Sequence, residues 1–223
     1  VGDVKLDLSV GTGNNRINYV MTNSINASLG PKSPTSFDDG TVKQDELNVN
    51  FDGSLPLTSG EKNPSIFAFG AEYRREKFTI QPGDEASYTF GPGAYGTPAL
   101  SCCSSGFPGY APVNAGTWSQ RSEAAYVDFF APVTSAWSVD AAARYENFST
   151  FGNSLTFKLS NRIELAEGFA LRGTVSSGFR APTPAQTYSE GLSQFLPSAA
   201  ASITTTGRFS PIGPVAALLN QRP

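Results

Sequence analysis

The sequence contains no histidine, and it has only two cysteines among its 223 residues. The absence of histidine removes the commonest general base, the commonest metal ligand and the Ser-His-Asp arrangement. Because Cys102 and Cys103 are adjacent, they provide neither zinc-ligand spacing nor a long-range disulfide framework. We expect two free thiols in a flexible loop, with a vicinal disulfide as the alternative. The composition therefore predicts no metal, no cofactor and no enzymatic activity.

Charge is also scarce, since Asp, Glu, Lys and Arg make up 16% of the residues, against about 25% in average globular proteins. The net charge is −3, and the basic residues are scattered along the chain, with Arg74-Arg75 as the one adjacent pair, so the sequence predicts no nucleic-acid partner. It has no run of about eighteen apolar residues, which excludes a membrane-spanning helix. In place of charge the chain has 22 glycines, 16 prolines and 12% aromatic residues, a composition typical of strands and turns.

Apolar and polar residues alternate strictly over several segments. In one segment Leu155, Phe157 and Leu159 occupy odd positions, whereas Lys158 and Ser160 occupy even positions. This period of two requires a sheet with one apolar face and one wet face. A transmembrane β-barrel meets that requirement, because lipid surrounds its outer face and its lumen is polar.

The alternation and the turn residues predict about eight antiparallel strands joined by connections of two kinds. The strands are expected near residues 2–11, 15–26, 41–55, 65–79, 117–131, 135–147, 153–166 and 168–180. Short turns at 11–14, 57–63, 132–135 and 167–168 alternate with connections at 27–40, 80–116, 147–152 and from 181 onward. Short periplasmic turns and longer extracellular loops are typical of outer-membrane barrels. We therefore predict an all-β, up-and-down barrel wall, with residues 80–116 and 181–223 as extracellular segments.

The long loop at residues 80–116 is rich in glycine and proline, and it carries five aromatic residues. These are Tyr88, Phe90, Tyr95, Phe107 and Tyr110. Aromatic rings hold aromatic or sugar-like ligands by stacking, so we predict that these five residues contact the substrate. The alternative is an ordered surface loop that shields the barrel mouth without touching substrate.

Several segments also resemble a known family when they are taken in order. They are Asn23-Ser-Ile-Asn-Ala-Ser-Leu-Gly30, Ser33-Pro-Thr-Ser-Phe37, Phe69-Gly-Ala-Glu-Tyr-Arg-Arg-Glu76, Ala124-Ala-Tyr-Val-Asp-Phe-Phe-Ala-Pro132, Ala143-Arg-Tyr-Glu146, Ser149-Thr-Phe-Gly152, Leu171-Arg-Gly173 and Gly178-Phe-Arg-Ala-Pro182. Together they look like the barrel of TonB-dependent outer-membrane receptors, and the resemblance extends to about residue 188.

The resemblance implies a barrel of about 22 strands that encloses an N-terminal plug. It further implies active uptake of a scarce, bulky solute (a siderophore, cobalamin or a saccharide) in the outer membrane of a Gram-negative bacterium. The partner TonB would act through the plug, and the barrel would contact the lipid bilayer. The sequence opens without a signal peptide at Val1 and closes without a terminal aromatic strand. We therefore interpret residues 1–223 as an internal barrel segment that lacks the plug and the last strand.

Charged residues of both signs lie on the wet side of the predicted strands. If that side is the lumen, they are expected to face inward and contact the plug: Arg74, Glu76, Arg144, Glu146, Arg172 and Arg180. The alternative is that they form pairs across neighbouring strands and solvate the inner wall.

Two other classes of protein are compatible with parts of this pattern. A passive porin or a small closed barrel with a structural role would need about eight strands. A soluble β-sandwich binding module would need strands of about five or six residues, which is shorter than most of the segments predicted here.

Overall fold

The computed structural model describes residues 4–58, 63–96, 98–195 and 204–219. Seven strands form one sheet in which neighbours in sequence are also neighbours in space. They are β1 (Lys5–Thr22), β2 (Ser36–Pro56), β3 (Ile66–Gln81), β4 (Gly116–Pro132), β5 (Trp137–Phe148), β6 (Gly152–Ala166) and β7 (Phe169–Ser176). This antiparallel up-and-down order confirms the predicted fold class.

Smaller elements occupy the connections and the C-terminal part of the chain. A separate antiparallel pair joins β8 (Gly191–Phe195) to β9 (Thr204–Arg208). The helices are short: α1 (Glu85–Tyr88), α2 (Pro184–Tyr188) and α3 (Pro214–Leu218), with 3-10 turns at Ala27–Lys32, Pro92–Tyr95 and Pro112–Asn114. Within the described ranges, no helix has the length and apolar character needed to cross a membrane.

The chain forms two compact units, each of which is assembled from several segments. The first unit comprises Val1–Thr12, Glu46–Arg75 and Gln120–Ala181, and the second comprises Gly13–Asp45, Glu76–Ser119 and Pro182–Pro223. The short turns after β2, β4 and β6 belong to the first unit. The long connections belong to the second unit.

In the first unit, the register of β4 to β7 separates an apolar face from a polar face. Phe129 lies opposite Ala141, which lies opposite Leu159 and then Val175. The next row pairs Asp128, Ala142, Lys158 and Ser176 in the same order. On the apolar face the side chain of Leu159 is 54% exposed and that of Val175 is 68% exposed. Because the apolar residues are this exposed, the face needs a lipid or protein neighbour.

The predicted turn at residues 11–14 is wrong, because β1 continues without interruption from Lys5 to Thr22. The sequence suggested a turn because Gly11, Gly13 and Asn14 are turn residues. The apolar residues also change parity here, from Leu8 and Val10 to Ile17 and Tyr19. The second unit explains the change, because the ring of Tyr19 stacks on Phe107 with centroids 4.5 Å apart. Loop residues pack against this side of β1. The apolar residues of β1 therefore lie where the loop covers the strand, and they do not form one continuous apolar face.

The sequence also predicts no strand after Pro182, and this prediction is wrong, because β8 and β9 lie there. This segment contains α2, β8 and β9. The two strands have five residues each, which is too few for a clear alternation of apolar and polar residues. The start of α2 is fixed by a capping box, in which the Thr183 hydroxyl accepts from the Gln186 backbone N–H and the Gln186 side chain accepts from the Thr183 backbone N–H. This reciprocal arrangement satisfies two backbone donors at once.

Two glycines of the first unit lie directly beneath aromatic rings. A Cβ atom added to Gly53 would lie 2.4 Å from Cζ of Phe69, and one added to Gly70 would lie 2.4 Å from Cε1 of Tyr126. In addition, the Tyr126 hydroxyl donates a hydrogen bond to Asp52. Each ring therefore occupies space that a side chain on the neighbouring strand would fill.

Candidate functional site

The second unit brings together residues 23–35, which follow β1, and residues 82–115, which follow β3. The main link between them is Asn26, whose side chain is fully buried. Its amide Nδ2 donates to the carbonyl oxygens of Ala86 at 2.8 Å and Thr89 at 2.9 Å. Its Oδ1 accepts from the Ser28 hydroxyl at 2.7 Å. Buried polar groups satisfied in this way hold the two connections in a defined arrangement.

A second set of hydrogen bonds positions Tyr110. The backbone N–H of Tyr110 donates to the carbonyl of Asp39, and its own carbonyl accepts from the backbone N–H of Gly83, both at 3.0 Å. The fully buried carboxylate of Asp39 accepts from the Ser104 hydroxyl at 2.6 Å. The backbone N–H and carbonyl of Tyr110 are therefore both fixed by hydrogen bonds.

The prediction of two free thiols is wrong, because Cys102 and Cys103 form a disulfide. The loop is not flexible at this point, since the two residues are 7% and 4% exposed. Neighbouring backbone groups are bonded to other segments, for example from Ser104 N–H to Ser87 O at 2.9 Å and from Ser105 N–H to Ile25 O at 3.0 Å. Cys103 has φ of 69°, a left-handed conformation that non-glycine residues rarely adopt.

Replacing both Cys102 and Cys103 with serine is expected to loosen residues 101–109 while leaving the seven-stranded sheet intact. The disulfide closes almost no loop, so it contributes little chain entropy. Its role here is to hold Cys103 in a backbone conformation that costs roughly 1–2 kcal/mol. We expect faster proteolysis at this segment in the double variant, with the unfolding midpoint of the whole protein unchanged. Equal protease resistance in both proteins would contradict this role.

A cavity of about 500 Å³ lies in the second unit. Four of the five predicted loop aromatics line it, namely Tyr88, Phe90, Phe107 and Tyr110. The fifth, Tyr95, is 79% exposed and lies outside the lining. Cys103 of the disulfide contributes to the same wall. The structure therefore brings together aromatic residues that are spread over more than twenty positions of the loop.

The aromatic wall is itself packed. Phe107 stacks on Tyr19 and meets Tyr110 edge-on, with the second pair of ring centroids 5.8 Å apart. Burial raises the pKa of the Tyr110 hydroxyl, the nearby Tyr19 adds to the increase, and Arg208 opposes it. Tyr110 therefore stays protonated at neutral pH and keeps a hydrogen-bond donor at its tip.

The cavity also has a polar side, which sequence reasoning missed. It consists of Asn114, Glu190 and Arg208. Asn114 Nδ2 donates to Glu190 Oε2 at 3.1 Å, and Arg208 Nη2 donates to the Ser189 hydroxyl at 2.6 Å. The capping box at the start of α2 is the sequence signal that could have indicated an ordered segment here. Across the described parts of the chain, no group of three or more Cys, Asp or Glu side chains is arranged to hold a metal ion.

In the first unit, the predicted lumen residues join ion pairs on the sheet. Arg144 contacts Glu72 at 3.0 Å and Glu146 at 3.2 Å, and Arg74 contacts Glu46 at 3.0 Å. A parallel set joins Lys158 to Asp140 at 2.6 Å and to Asp128 at 3.6 Å. The contact between Arg144 and Glu146 lies within β5, whereas the other contacts join different strands, as in the alternative of pairing across the sheet.

The other predicted lumen residues occupy different surroundings. Glu76 is 7% exposed and belongs to the second unit. Arg172 lies on β7, opposite Arg162 of β6. Arg180 lies beyond the end of β7 and is exposed. Contact of any of these residues with a plug stays a prediction.

Replacing Arg144 with methionine is expected to lower the free energy of unfolding by about 1 kcal/mol, because the pairs are partly exposed and screened. The effect arises because Glu72 and Glu146 lose their shared cation. Adding Glu72→Gln to this variant is expected to recover part of the loss, and a double-mutant cycle on urea unfolding measures the coupling. Strictly additive effects would show that the contact contributes nothing.

Comparisons with known proteins agree with this architecture. A family model described as "TonB dependent receptor-like, beta-barrel" matches residues 2–215. The crystal structure of the siderophore receptor PirA from Acinetobacter baumannii is similar to this chain with a TM-score of 0.53 at 19% identity, over 91% of this chain and 27% of that chain. No curated protein matches the chain significantly. The chain thus spans about a quarter of the length of that receptor. At 19% identity, the similarity shows a shared fold and nothing further. On the family match over nearly its whole length, the chain belongs to the TonB-dependent receptor-like β-barrel family.

Proposed function

We propose that the chain is part of the wall of an outer-membrane receptor that takes up a scarce, bulky solute by active transport. The solute is of the siderophore, cobalamin or saccharide class, and the energy comes from TonB acting through a plug inside the barrel. Family membership supports this proposal, as does the arrangement of the described residues. The exposed apolar face of β4 to β7 suits a lipid surrounding, and the polar face suits a wet lumen.

The observation that carries the proposal is the cavity in the second unit, because it is built from the long connections. In this scheme residues 80–116 and 181–223 are extracellular. The rings of Tyr88, Phe90, Phe107 and Tyr110 contact the solute there before transport. Ligand pockets of about 300–1,000 Å³ hold drug-sized molecules, and a cavity of about 500 Å³ falls in that range.

The charged residues on the polar face have a supporting role in this scheme. Arg74, Arg144 and Glu146 would solvate the lumen and hydrogen-bond with the plug. Because their present ion pairs are partly exposed and individually weak, exchange of one partner for a group of the plug is energetically feasible.

Uptake by cells that express the whole gene containing this chain tests the proposal. The probes are radiolabelled ferric trihydroxamate, cyanocobalamin and maltotriose, supplied to a Gram-negative host with and without TonB. We expect accumulation of one probe, and we expect it to disappear when TonB is deleted. Equal accumulation in both hosts, with a steady conductance in planar bilayers, would instead identify a passive porin. Recovery of the product in a soluble fraction would identify a binding module.

A further inference from the structure

The cavity of the second unit carries an inference about the class of solute, and this inference rests on the proposed function. We propose that the cavity binds a neutral, polyhydroxylated ligand of the saccharide class. The aromatic wall would stack against the C–H faces of the sugar rings. The polar side, made by Asn114, Glu190 and Arg208, would hydrogen-bond to the hydroxyl groups.

The balance of charge in the lining is the first argument. Of the fourteen described residues that line the cavity, two are charged, and they are Glu190 and Arg208, which have opposite signs. An anionic ligand such as a carboxylate-rich metal chelate is normally held by a surplus of Arg or Lys. A surplus of this kind is not found among the described lining residues. The lining therefore favours a ligand without net charge.

The arrangement of apolar and polar groups is the second argument. The lining combines four aromatic rings with the side chains of Asn114, Glu190 and Arg208, which bear planar groups with hydrogen-bonding atoms at fixed spacing. A sugar ring has the matching distribution, with apolar C–H faces and hydroxyl groups along its edge. A purely aromatic ligand would leave the remaining hydrogen-bonding atoms of these groups without partners once water is displaced, and unsatisfied atoms of this kind are costly.

The hydrogen-bonding capacity of the polar side is the third argument. A carboxylate offers about four acceptor positions, and two are used at Glu190, by Asn114 Nδ2 and by the Ser210 backbone N–H at 3.3 Å. The guanidinium of Arg208 has about five N–H donors, of which one reaches the Ser189 hydroxyl. These bonds hold the carboxylate of Glu190 and the guanidinium of Arg208 in place. The remaining acceptor and donor positions are available to the hydroxyl groups of a ligand.

The wall itself is stiff, which suits recognition of a weakly binding ligand. Cys103 is held by the disulfide to Cys102, and its sulfur lies 3.5 Å from the carbonyl oxygen of Tyr88. Tyr110 is held by Asp39 and Gly83 through its backbone. Because the backbone at these two positions is already held, less of it has to be ordered on binding, and more of the contact energy contributes to affinity.

The test uses the full-length receptor purified in detergent. Neutral oligosaccharides are screened on a glycan array, and titration calorimetry then measures the dissociation constant of the tightest binder. Tyr110→Ala and Glu190→Gln are each expected to weaken binding by at least about tenfold, as residues at the centre of an interface do. Tyr110→Phe keeps the ring and is expected to stay within about threefold of the wild type. Tyr95→Ala is the matched control, since Tyr95 is an exposed aromatic of the same loop outside the cavity lining.

The outcomes separate this inference from the proposed function. Oligosaccharide binding that is weakened in Tyr110→Ala and Glu190→Gln but kept in Tyr95→Ala supports it. Absence of binding to every neutral oligosaccharide overturns it, as does equal weakening by Tyr95→Ala. Binding confined to cyanocobalamin or ferric trihydroxamate overturns the saccharide class but leaves an uptake receptor in place. TonB-independent accumulation of a bound sugar would refute active transport while the saccharide site stands.

Discussion

Replacing Gly40 with alanine is expected to destabilise the second unit by about 3 kcal/mol, through backbone strain and a clash with neighbouring backbone. Gly40 has φ of +105°, and an added Cβ would lie 2.5 Å from the carbonyl oxygen of Gln81. The same atom would lie 3.2 Å from Cδ2 of Tyr110. Backbone at Gln81 has little freedom to move, so the strain is expected to spread to the cavity wall.

The measurement is the thermal unfolding of the full-length protein in detergent, followed by near-ultraviolet circular dichroism. Gly11→Ala is the matched control, because a Cβ at Gly11 meets no atom within 4 Å and its φ is not positive. We expect a clear loss of stability in Gly40→Ala and almost none in Gly11→Ala. Equal stability of the two variants would show that the close approach of β2 to Gln81 is absent in solution.

Replacing Leu159 with arginine is expected to destabilise the folded protein in lipid bilayers by about 2–4 kcal/mol, the cost of a basic side chain near the bilayer midplane. Leu159 lies on the apolar face of β6, between Ala141 and Val175 in register. Ser160→Arg is the matched control, since Ser160 lies on the other face and opposite Asp140. An arginine there gains a carboxylate neighbour and stays in a wet environment.

Urea unfolding in lipid vesicles, followed by the change in electrophoretic mobility of the folded protein, gives the two free energies. A β-sandwich would also be damaged by Leu159→Arg, so a second measurement is needed. Tryptophan is introduced by Leu159→Trp and by Ser160→Trp, and the fluorescence of the unsubstituted protein, which contains Trp118 and Trp137, is subtracted. Brominated lipids are then expected to quench the added fluorescence of the first variant and spare that of the second. Quenching of both or of neither would exclude a lipid-facing apolar side of β6.

The sheet from β4 to β7 was predictable because alternation of apolar and polar residues recurs along its strands and each turn carries Gly, Pro or Ser. The pairing of Leu159 with Ala141 and Val175 follows once the alternation and the turns are known. The sequence could not show that β1 is continuous. Its apolar residues change sides where Tyr19 packs on Phe107, and that partner is distant in sequence.

The candidate site was also predictable only in part, because the contacts that form it join residues distant in sequence. A loop rich in aromatics suggests a contact surface, and four of the five rings do line one cavity. Tyr95 could not be separated from them, because composition carries no information on which way a loop folds. Glu190 directly precedes β8, and Arg208 ends β9. Both were missed because these short strands leave little periodicity in the sequence. Whether the lining rings contact a solute stays a prediction.

The aromatic rings that lie over Gly53 and Gly70 also determine which residues of neighbouring strands can pair. A slip of two residues would restore the ladder pattern of hydrogen bonds and keep each side chain on its face. It would, however, press the ring of Tyr126 against Ala68 or Glu72 instead of Gly70. The backbone hydrogen bonds are compatible with such a slip, whereas the ring of Tyr126 would clash with a side chain. These two contacts therefore select one alignment of β2, β3 and β4 among several that the polar backbone alone would accept equally.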